Sequence, residues 1–166
     1  MNNIEIKAYN LLKKSITRFY ANDSLLVSIR GTERSCVFKI GAYLNELVNC
    51  ELGSDYNVDS EYNKKLKNPK VDHKFKLVRP DLIIHKRNTS DENANILAIE
   101  FKGWWNNSEK DIEKLKDFTN PKYEYKYKLA ILIKLNKKQE NVVYKFFQKG
   151  KEINENIILD KSRNKT

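Results

Sequence analysis

The sequence predicts an α/β fold of the mixed α+β kind, with a central mixed sheet of four to five strands flanked by helices. Apolar residues recur at the helical period in two segments near the N-terminus, residues 2–20 and 33–48. Dense apolar runs typical of strands follow at residues 77–86, 96–103 and 127–135. With 166 residues, of which 40% are hydrophobic, the chain is long enough for a domain with a buried core.

Two helices are predicted in the N-terminal part. The first covers residues 2–20 and is interrupted at Ala21-Asn22-Asp23-Ser24, where the apolar period stops. Thr32 is suited to cap the second helix, because its hydroxyl can accept a hydrogen bond from the first turn. This helix is predicted from Glu33 to about Val48.

Strands and one more helix are predicted after the turn at Gly53-Ser54. Ser108 is suited to cap the helix, and Pro121 prevents the helix from continuing. The tail is ambiguous, and a hairpin is narrowly favoured over a helix there. In order, the elements are a strand at 56–62, a long basic loop at 63–76, strands at 77–86 and 96–103 joined by the polar turn 87–95, a helix at 108–118, a strand at 127–135, and a hairpin built on 142–147 with its turn at 148–151.

The chain is expected to form a single domain in the cytoplasm. No apolar stretch approaches the ~20 residues that span a bilayer, and the N-terminus lacks the layout of a secretory signal. Cys36 and Cys50 lack a metal-type spacing, so we expect reduced thiols. The predicted parts are a helical extension at 1–30, a core at about 32–135, a C-terminal addition at 136–159 and a frayed tail at 160–166.

The chain is strongly basic. It contains 32 Lys and Arg against 22 Asp and Glu, a formal net charge of +10 at pH 7. A surface of this sign favours a polyanionic partner, and nucleic acid is the commonest polyanion in cytoplasm. A compositional explanation stays open, because Asn, Lys and Ile are all abundant, as A/T-rich coding DNA would produce. The charge alone therefore does not establish nucleic-acid binding.

Two triplets carry the chemical signal of the sequence. Arg79-Pro80-Asp81 precedes one apolar run, and Glu100-Phe101-Lys102 ends the next one. Glu100 and Lys102 lie two positions apart, so they emerge on the same face of a strand. If Asp81 lies on the neighbouring strand, two carboxylates and an ammonium group meet at one place. Carboxylate oxygens suit Mg²⁺, and a lysine beside the attacking water suits phosphodiester hydrolysis.

These triplets resemble the PD-(D/E)xK nuclease superfamily, whose members have a restriction-endonuclease-like fold with an αβββαβ core. The similarity covers about residues 32–135 and is strongest to small bacterial and phage-type members. Beside the two triplets it includes Glu33-Arg34 and Asp59-Ser60-Glu61-Tyr62-Asn63. The resemblance implies Mg²⁺, with Mn²⁺ as a substitute, bound by Asp81, Glu100 and Glu33. It also implies that Lys102 acts in catalysis beside these three residues.

Each of these residues also has a purely structural interpretation. Glu100 and Lys102 could form a weak ion pair on an exposed strand face, worth roughly 0–1 kcal/mol. Glu33 could stabilise the first turn of its helix through the helix dipole, and this explains it nearly as well as a metal role. A basic loop is the leading candidate for phosphate contacts, with a solvated charge run as the alternative; its lysines are Lys64, Lys65, Lys67, Lys70 and Lys74.

The sequence therefore predicts a Mg²⁺-dependent nuclease, a phosphodiester hydrolase with DNA as its favoured substrate. The alternative is a catalytically inactive module of the same fold that binds nucleic acid or a protein partner. A homodimer is compatible with the resemblance, because many relatives dimerise to cut both strands. The sequence leaves open the strandedness of the substrate, DNA versus RNA, and the biological pathway.

Overall fold

The computed structural model describes residues 4–61, 64–65, 68–69, 79–89, 91 and 93–156, with the backbone alone at 64–65 and 68–69. The helices are α1 (Ile4–Asp23), α2 (Leu25–Ser28), α3 (Glu33–Glu51) and α4 (Glu109–Thr119). The strands are β1 (Asn57–Ser60), β2 (Lys64–Lys65), β3 (Asn68–Pro69), β4 (Leu82–His85), β5 (Asn95–Gly103), β6 (Leu129–Leu135), β7 (Val143–Gln148) and β8 (Lys151–Ile153).

The central sheet is mixed and has six strands in the order β1-β4-β5-β6-β7-β8. Its neighbours pair antiparallel except β5 and β6, which are parallel. Parallel neighbours need a crossover connection, and α4 provides it. The prediction of an α/β class is confirmed. The sheet is larger than the predicted four to five strands because the C-terminal hairpin pairs with β6 and extends it.

Helices cover both faces of this sheet. On one face, α1 and α3 pack on β5 and its neighbours, and their buried side chains include Leu12, Ile16 and Ile40. On the other face, α4 packs across β5, β6 and β7 through Leu115 and Phe118. Strands covered on both faces are apolar throughout, which explains the dense runs that predicted them.

The helices begin where the sequence indicates but extend further. The Thr32 hydroxyl accepts a hydrogen bond from Ser35 N at 3.3 Å, so the predicted cap of α3 is confirmed. The helices α1 and α3 end at Asp23 and Glu51, three residues beyond each expectation. The short helix α2 lies between them, a helix that the sequence does not predict.

The prediction of a long loop at 63–76 is wrong at Lys64–Lys65 and Asn68–Pro69, because these residues pair as the antiparallel strands β2 and β3. Two-residue strands carry no periodic pattern that could predict them.

Among the described residues, no helix has the length and apolar character to cross a bilayer. Cys36 is buried and Cys50 is exposed, and both thiols are free. Burial raises the pKa of the Cys36 thiol to about 11, so it is protonated at neutral pH.

Candidate functional site

The β4–β5 pairing places the two predicted carboxylates side by side. Leu82 pairs with Ile99 in the antiparallel register, so Asp81, the residue just before β4, falls next to Glu100 when the register is continued by one residue. Both strands pair over an apolar stretch, and this fixes the register at the point where the polar residues begin. Side chains of directly opposed residues have Cβ atoms about 5 Å apart. The sheet therefore brings the two carboxylates together as the sequence predicts.

Asp81 is tied to the backbone of the neighbouring strand. Its Oδ2 accepts a hydrogen bond from Phe101 N at 2.7 Å. Burial raises the pKa of Asp81, against the lowering effect of this hydrogen bond and of the nearby Lys114 and Lys102 ammonium groups. The carboxylate is thus held in place but is costly to ionise.

Glu100 is the most buried charged group of the site, with 1% of its surface exposed. Burial, followed by repulsion from Asp81, raises its pKa well above the ordinary value. Its Oε1 lies 2.7 Å from Lys114 Nζ, an ion pair, yet this buried oxygen has no hydrogen bond of good geometry within the part of the chain described. The partner of this buried oxygen is therefore the Lys114 ammonium group.

Lys102 lies between two carboxylates from the two helices that flank the sheet. Its Nζ is 3.3 Å from Asp111 Oδ2 of α4 and 3.4 Å from Glu33 Oε2 of α3. Burial alone would lower the pKa of Lys102, but Asp111 and Glu33 outweigh it and raise the pKa above its ordinary value. The amine therefore remains a cation at neutral pH and cannot act as a general base.

Glu33 faces the Lys102 side of the site. Its Oε1 accepts hydrogen bonds from Gly103 N at 2.8 Å and from Asn106 Nδ2 at 2.6 Å. These contacts join the start of α3 to the end of β5. Its role as a metal ligand stays a prediction, while its contacts show a residue that orients Lys102.

The charge of the site suits a divalent cation. The four carboxylates of Asp81, Glu100, Glu33 and Asp111 against the ammonium groups of Lys102 and Lys114 leave a formal net charge of −2 when all are ionised. Within the described ranges, no three His, Cys, Asp or Glu side chains converge as a metal cluster. Mg²⁺ usually keeps several waters and binds one or two carboxylates, so the Asp81–Glu100 pair matches its preferred donors.

Sequence reasoning missed Asp111 and Lys114, the two residues that α4 contributes. With Leu115 and Phe118 they are spaced i, i+3, i+4 and i+7, so all four lie on the stripe that faces the sheet. Two charged residues on an otherwise buried stripe are a signal that the sequence contains. Lys114 is only 21% exposed, and its neighbours on the sheet are the carboxylates.

The side chains of Glu61 and His85 are engaged with other partners than this cluster. Glu61 is exposed and pairs with Arg34 at 3.3 Å. His85 is buried, with Nε2 2.7 Å from Asp59 Oδ2, and Arg87 Nε donates to the same oxygen at 2.8 Å. The lysines predicted to contact phosphate have side chains that lie outside the described part of the structure: Lys64, Lys65, Lys67, Lys70 and Lys74.

Open space adjoins the site on the α3 side. A cavity of about 530 Å³ lies between α3 and the β1–β4 edge, and Glu33 and Asp81 are part of its lining. The exposed side chains of Arg34 and Phe38 border the same cavity. The cavity therefore places open space beside Asp81 and Glu33.

No protein-family model and no curated protein matches this chain. A solved structure described as a cryo-EM structure of a DrdV–DNA complex is similar to it, with 14% sequence identity and a TM-score of 0.44. The match covers 90% of this chain but 12% of that chain. At this level of similarity the resemblance establishes neither a family nor an activity, and the function proposed for this chain rests on its own site.

Proposed function

We propose that this protein is a divalent-metal-dependent nuclease that hydrolyses phosphodiester bonds in DNA. The observation that carries the proposal is the convergence of Asp81, Glu100 and Lys102 where β4 and β5 meet. Burial raises the pKa of both carboxylates, and the charge of Asp81 raises the pKa of Glu100 further. Groups with shifted pKa values cluster at functional sites. The similarity of the two triplets to the PD-(D/E)xK superfamily supports Mg²⁺, with Mn²⁺ as a substitute.

In this proposal, Asp81 and Glu100 hold the cation. A cation held there would supply positive charge to a phosphoryl oxygen and would lower the pKa of the attacking water. The Lys102 ammonium stabilises the negative charge that builds on the phosphate during attack. Asp111 and Glu33 hold Lys102 from opposite sides, so its position is set before the substrate arrives.

The charge of the chain supports a nucleic-acid substrate. The site itself is acidic, and a phosphodiester would be repelled from it until a cation is bound. The rest of the molecule compensates, because the chain as a whole carries a formal charge of +10. A basic surface attracts the DNA backbone over a Debye length of about 8–10 Å at physiological ionic strength. Binding is therefore expected to weaken steeply with salt.

A cleavage assay tests the proposal. Plasmid, single-stranded, branched and RNA substrates are incubated with the protein in Mg²⁺, Mn²⁺ or EDTA. We expect DNA cleavage with either cation and none in EDTA. Asp81→Asn and Lys102→Ala should each reduce the rate about 100-fold or more, as removal of one transition-state contact does.

Two variants with the same charge changes away from the site serve as controls. Asp55→Asn alters a carboxylate that is 78% exposed, and Lys145→Ala alters a half-exposed lysine on β7. Both should cleave at the wild-type rate. Cleavage that persists in Asp81→Asn and Lys102→Ala, with circular dichroism showing folded protein, would refute the assignment of the site.

One observation favours a second candidate, an inactive module of this fold that binds nucleic acid. Lys114 already neutralises Glu100 at 2.7 Å, so the carboxylate has a partner without any metal. Calorimetry with Mn²⁺ separates the two functions. An inactive module would take up no Mn²⁺ but would still bind DNA in a salt-dependent manner, whereas a nuclease should bind Mn²⁺ and lose that binding in Asp81→Asn.

A further inference from the structure

We propose that Lys114 is the resident counter-cation of the carboxylate pair. Its ammonium group holds Glu100 and the segment before Asp81 in place, and yields its position on Glu100 when a divalent cation binds. This inference rests on the proposed metal-dependent function and names the residue that sets the metal affinity of the site. Lys114 is a positioning residue in this role, because it acts through Glu100.

The contacts of Lys114 join three of the segments that build the site. Its Nζ lies 2.7 Å from Glu100 Oε1 on β5 and 3.6 Å from Asp111 Oδ1 on its own helix. It also donates a hydrogen bond of 3.3 Å to Arg79 O, two residues before Asp81. One ammonium group therefore connects the segments that carry both carboxylates. Its helix cannot slide, because Leu115 and Phe118 are buried against the sheet.

The position of Lys114 on Glu100 conflicts with a bound cation. Two cations cannot share Oε1 at contact distance without strong repulsion, because their charges would lie within a few ångströms in a poorly hydrated site. Asp111 offers the displaced ammonium group a second partner on the same helix at 3.6 Å. A short rotation of the side chain exchanges one carboxylate for the other while the helix remains in place.

This exchange makes the site selective for charge. A monovalent ion carries no more charge than the tethered ammonium group that it would displace, so it gains little. A divalent ion carries twice that charge and is attracted by both carboxylates. Removal of the ammonium group should therefore make the site less stable without metal but a tighter binder of metal.

The test uses Lys114→Met, which keeps much of the side-chain length and removes the charge. Titration calorimetry of metal-free protein with MnCl₂ should show binding about tenfold or more tighter than in wild type. In EDTA, the same variant should melt at a lower temperature than wild type, because Glu100 loses its partner. The matched control is Lys110→Met, an exposed lysine one turn earlier on α4, whose Mn²⁺ affinity should change by about twofold at most.

A second variant keeps the charge. Lys114→Arg retains a cation at Glu100 and should bind Mn²⁺ as weakly as wild type or more weakly. Comparison of the two variants separates the effect of the lost charge from the effect of any substitution at this position. Equal or weaker Mn²⁺ binding by Lys114→Met, with wild type binding Mn²⁺, overturns the role of Lys114 alone. Absence of Mn²⁺ binding in wild type and in every variant overturns the proposed metal-dependent function as well.

Discussion

Replacement of Asp81 by Asn should stabilise the metal-free protein. The substitution removes one of two buried carboxylates that repel each other, while the amide oxygen can still accept the hydrogen bond from Phe101 N. Opposed side chains on paired strands have Cβ atoms about 5 Å apart. At an effective dielectric constant of about 20, two unit charges at that separation repel by about 3 kcal/mol.

Nearby ammonium groups offset part of this repulsion, since Lys114 and Lys102 attract the Asp81 carboxylate. We therefore expect the free energy of unfolding of Asp81→Asn to exceed that of wild type by about 1–2 kcal/mol. For a protein of this size this corresponds to a melting temperature about 2–8 °C higher. The gain should depend on pH. The folded-state pKa values of Asp81 and Glu100 are raised, so wild type loses stability as pH rises from the unfolded values of about 4 toward the folded ones.

The assay is thermal unfolding in EDTA at pH 4 and pH 8, followed by the same measurement with MnCl₂. In EDTA, the melting temperature of Asp81→Asn should be higher than that of wild type at pH 8, and the difference should be smaller at pH 4. Addition of Mn²⁺ should raise the melting temperature of this variant only slightly. Wild type should gain about 2.7 kcal/mol when the cation is at 100 times its dissociation constant. A lower melting temperature of Asp81→Asn in EDTA at pH 8, with the Asp55→Asn control unchanged, would refute the repulsion argument.

Three further predictions concern the stability of the fold. Phe118→Ala removes a fully buried ring between α4 and the sheet and should cost about 3–5 kcal/mol in urea unfolding. Gly103→Ala should cost about 1–3 kcal/mol in the same assay, because a Cβ at this position would lie 2.5 Å from the Trp105 indole. Burial would raise the pKa of Asp59, but hydrogen bonds from Arg87 and His85 outweigh it and lower this pKa. The ionised Asp59 carboxylate therefore stabilises the folded protein above its unfolded pKa, and this stabilisation is lost as pH falls through the folded pKa. Arg87→Met should therefore reduce stability at pH 7 and flatten its decline between about pH 5 and 2, measured by urea unfolding at each pH.

Each of these predictions can fail in a distinct way. A loss below about 1 kcal/mol in Phe118→Ala would mean that α4 does not depend on this ring. An unchanged urea midpoint in Gly103→Ala would mean that Trp105 moves freely. An acid transition in Arg87→Met identical to that of wild type would mean that the guanidinium does not hold the carboxylate ionised.

Most of the element order could be predicted from the sequence, because long periodic segments have a single low-energy structure. Strands β4, β5 and β6 are covered on both faces, so their apolar runs are dense and unambiguous. The hairpin β7–β8 was predicted, but its pairing to β6 was not, since an edge contact leaves no pattern in either strand. The ladder β2–β3 is too short to have a period.

The carboxylate pair could be predicted, whereas its surroundings could not. Asp81 and Glu100 follow from strand parity and register, which are local rules. The contacts of Glu33 with Gly103 N and Asn106 depend on where α3 docks, and docking is a tertiary property. Lys114 lay within reach of sequence reasoning, because its charge interrupts a buried helical stripe, but a lysine-rich chain hides such a position among many others.

The first helix has a practical consequence for anyone who shortens this chain. Tyr9, Leu12 and Phe19 of α1 are fully buried, and the Tyr9 hydroxyl donates to Glu155 near the opposite terminus at 2.6 Å. Tyr20 adds a second fastening at Asn136 O, also at 2.6 Å. A fragment restricted to residues 32–135 would lose α1 and these hydrogen bonds. It would expose apolar core residues to solvent and would be prone to aggregation. Any recombinant version should therefore keep the whole of α1.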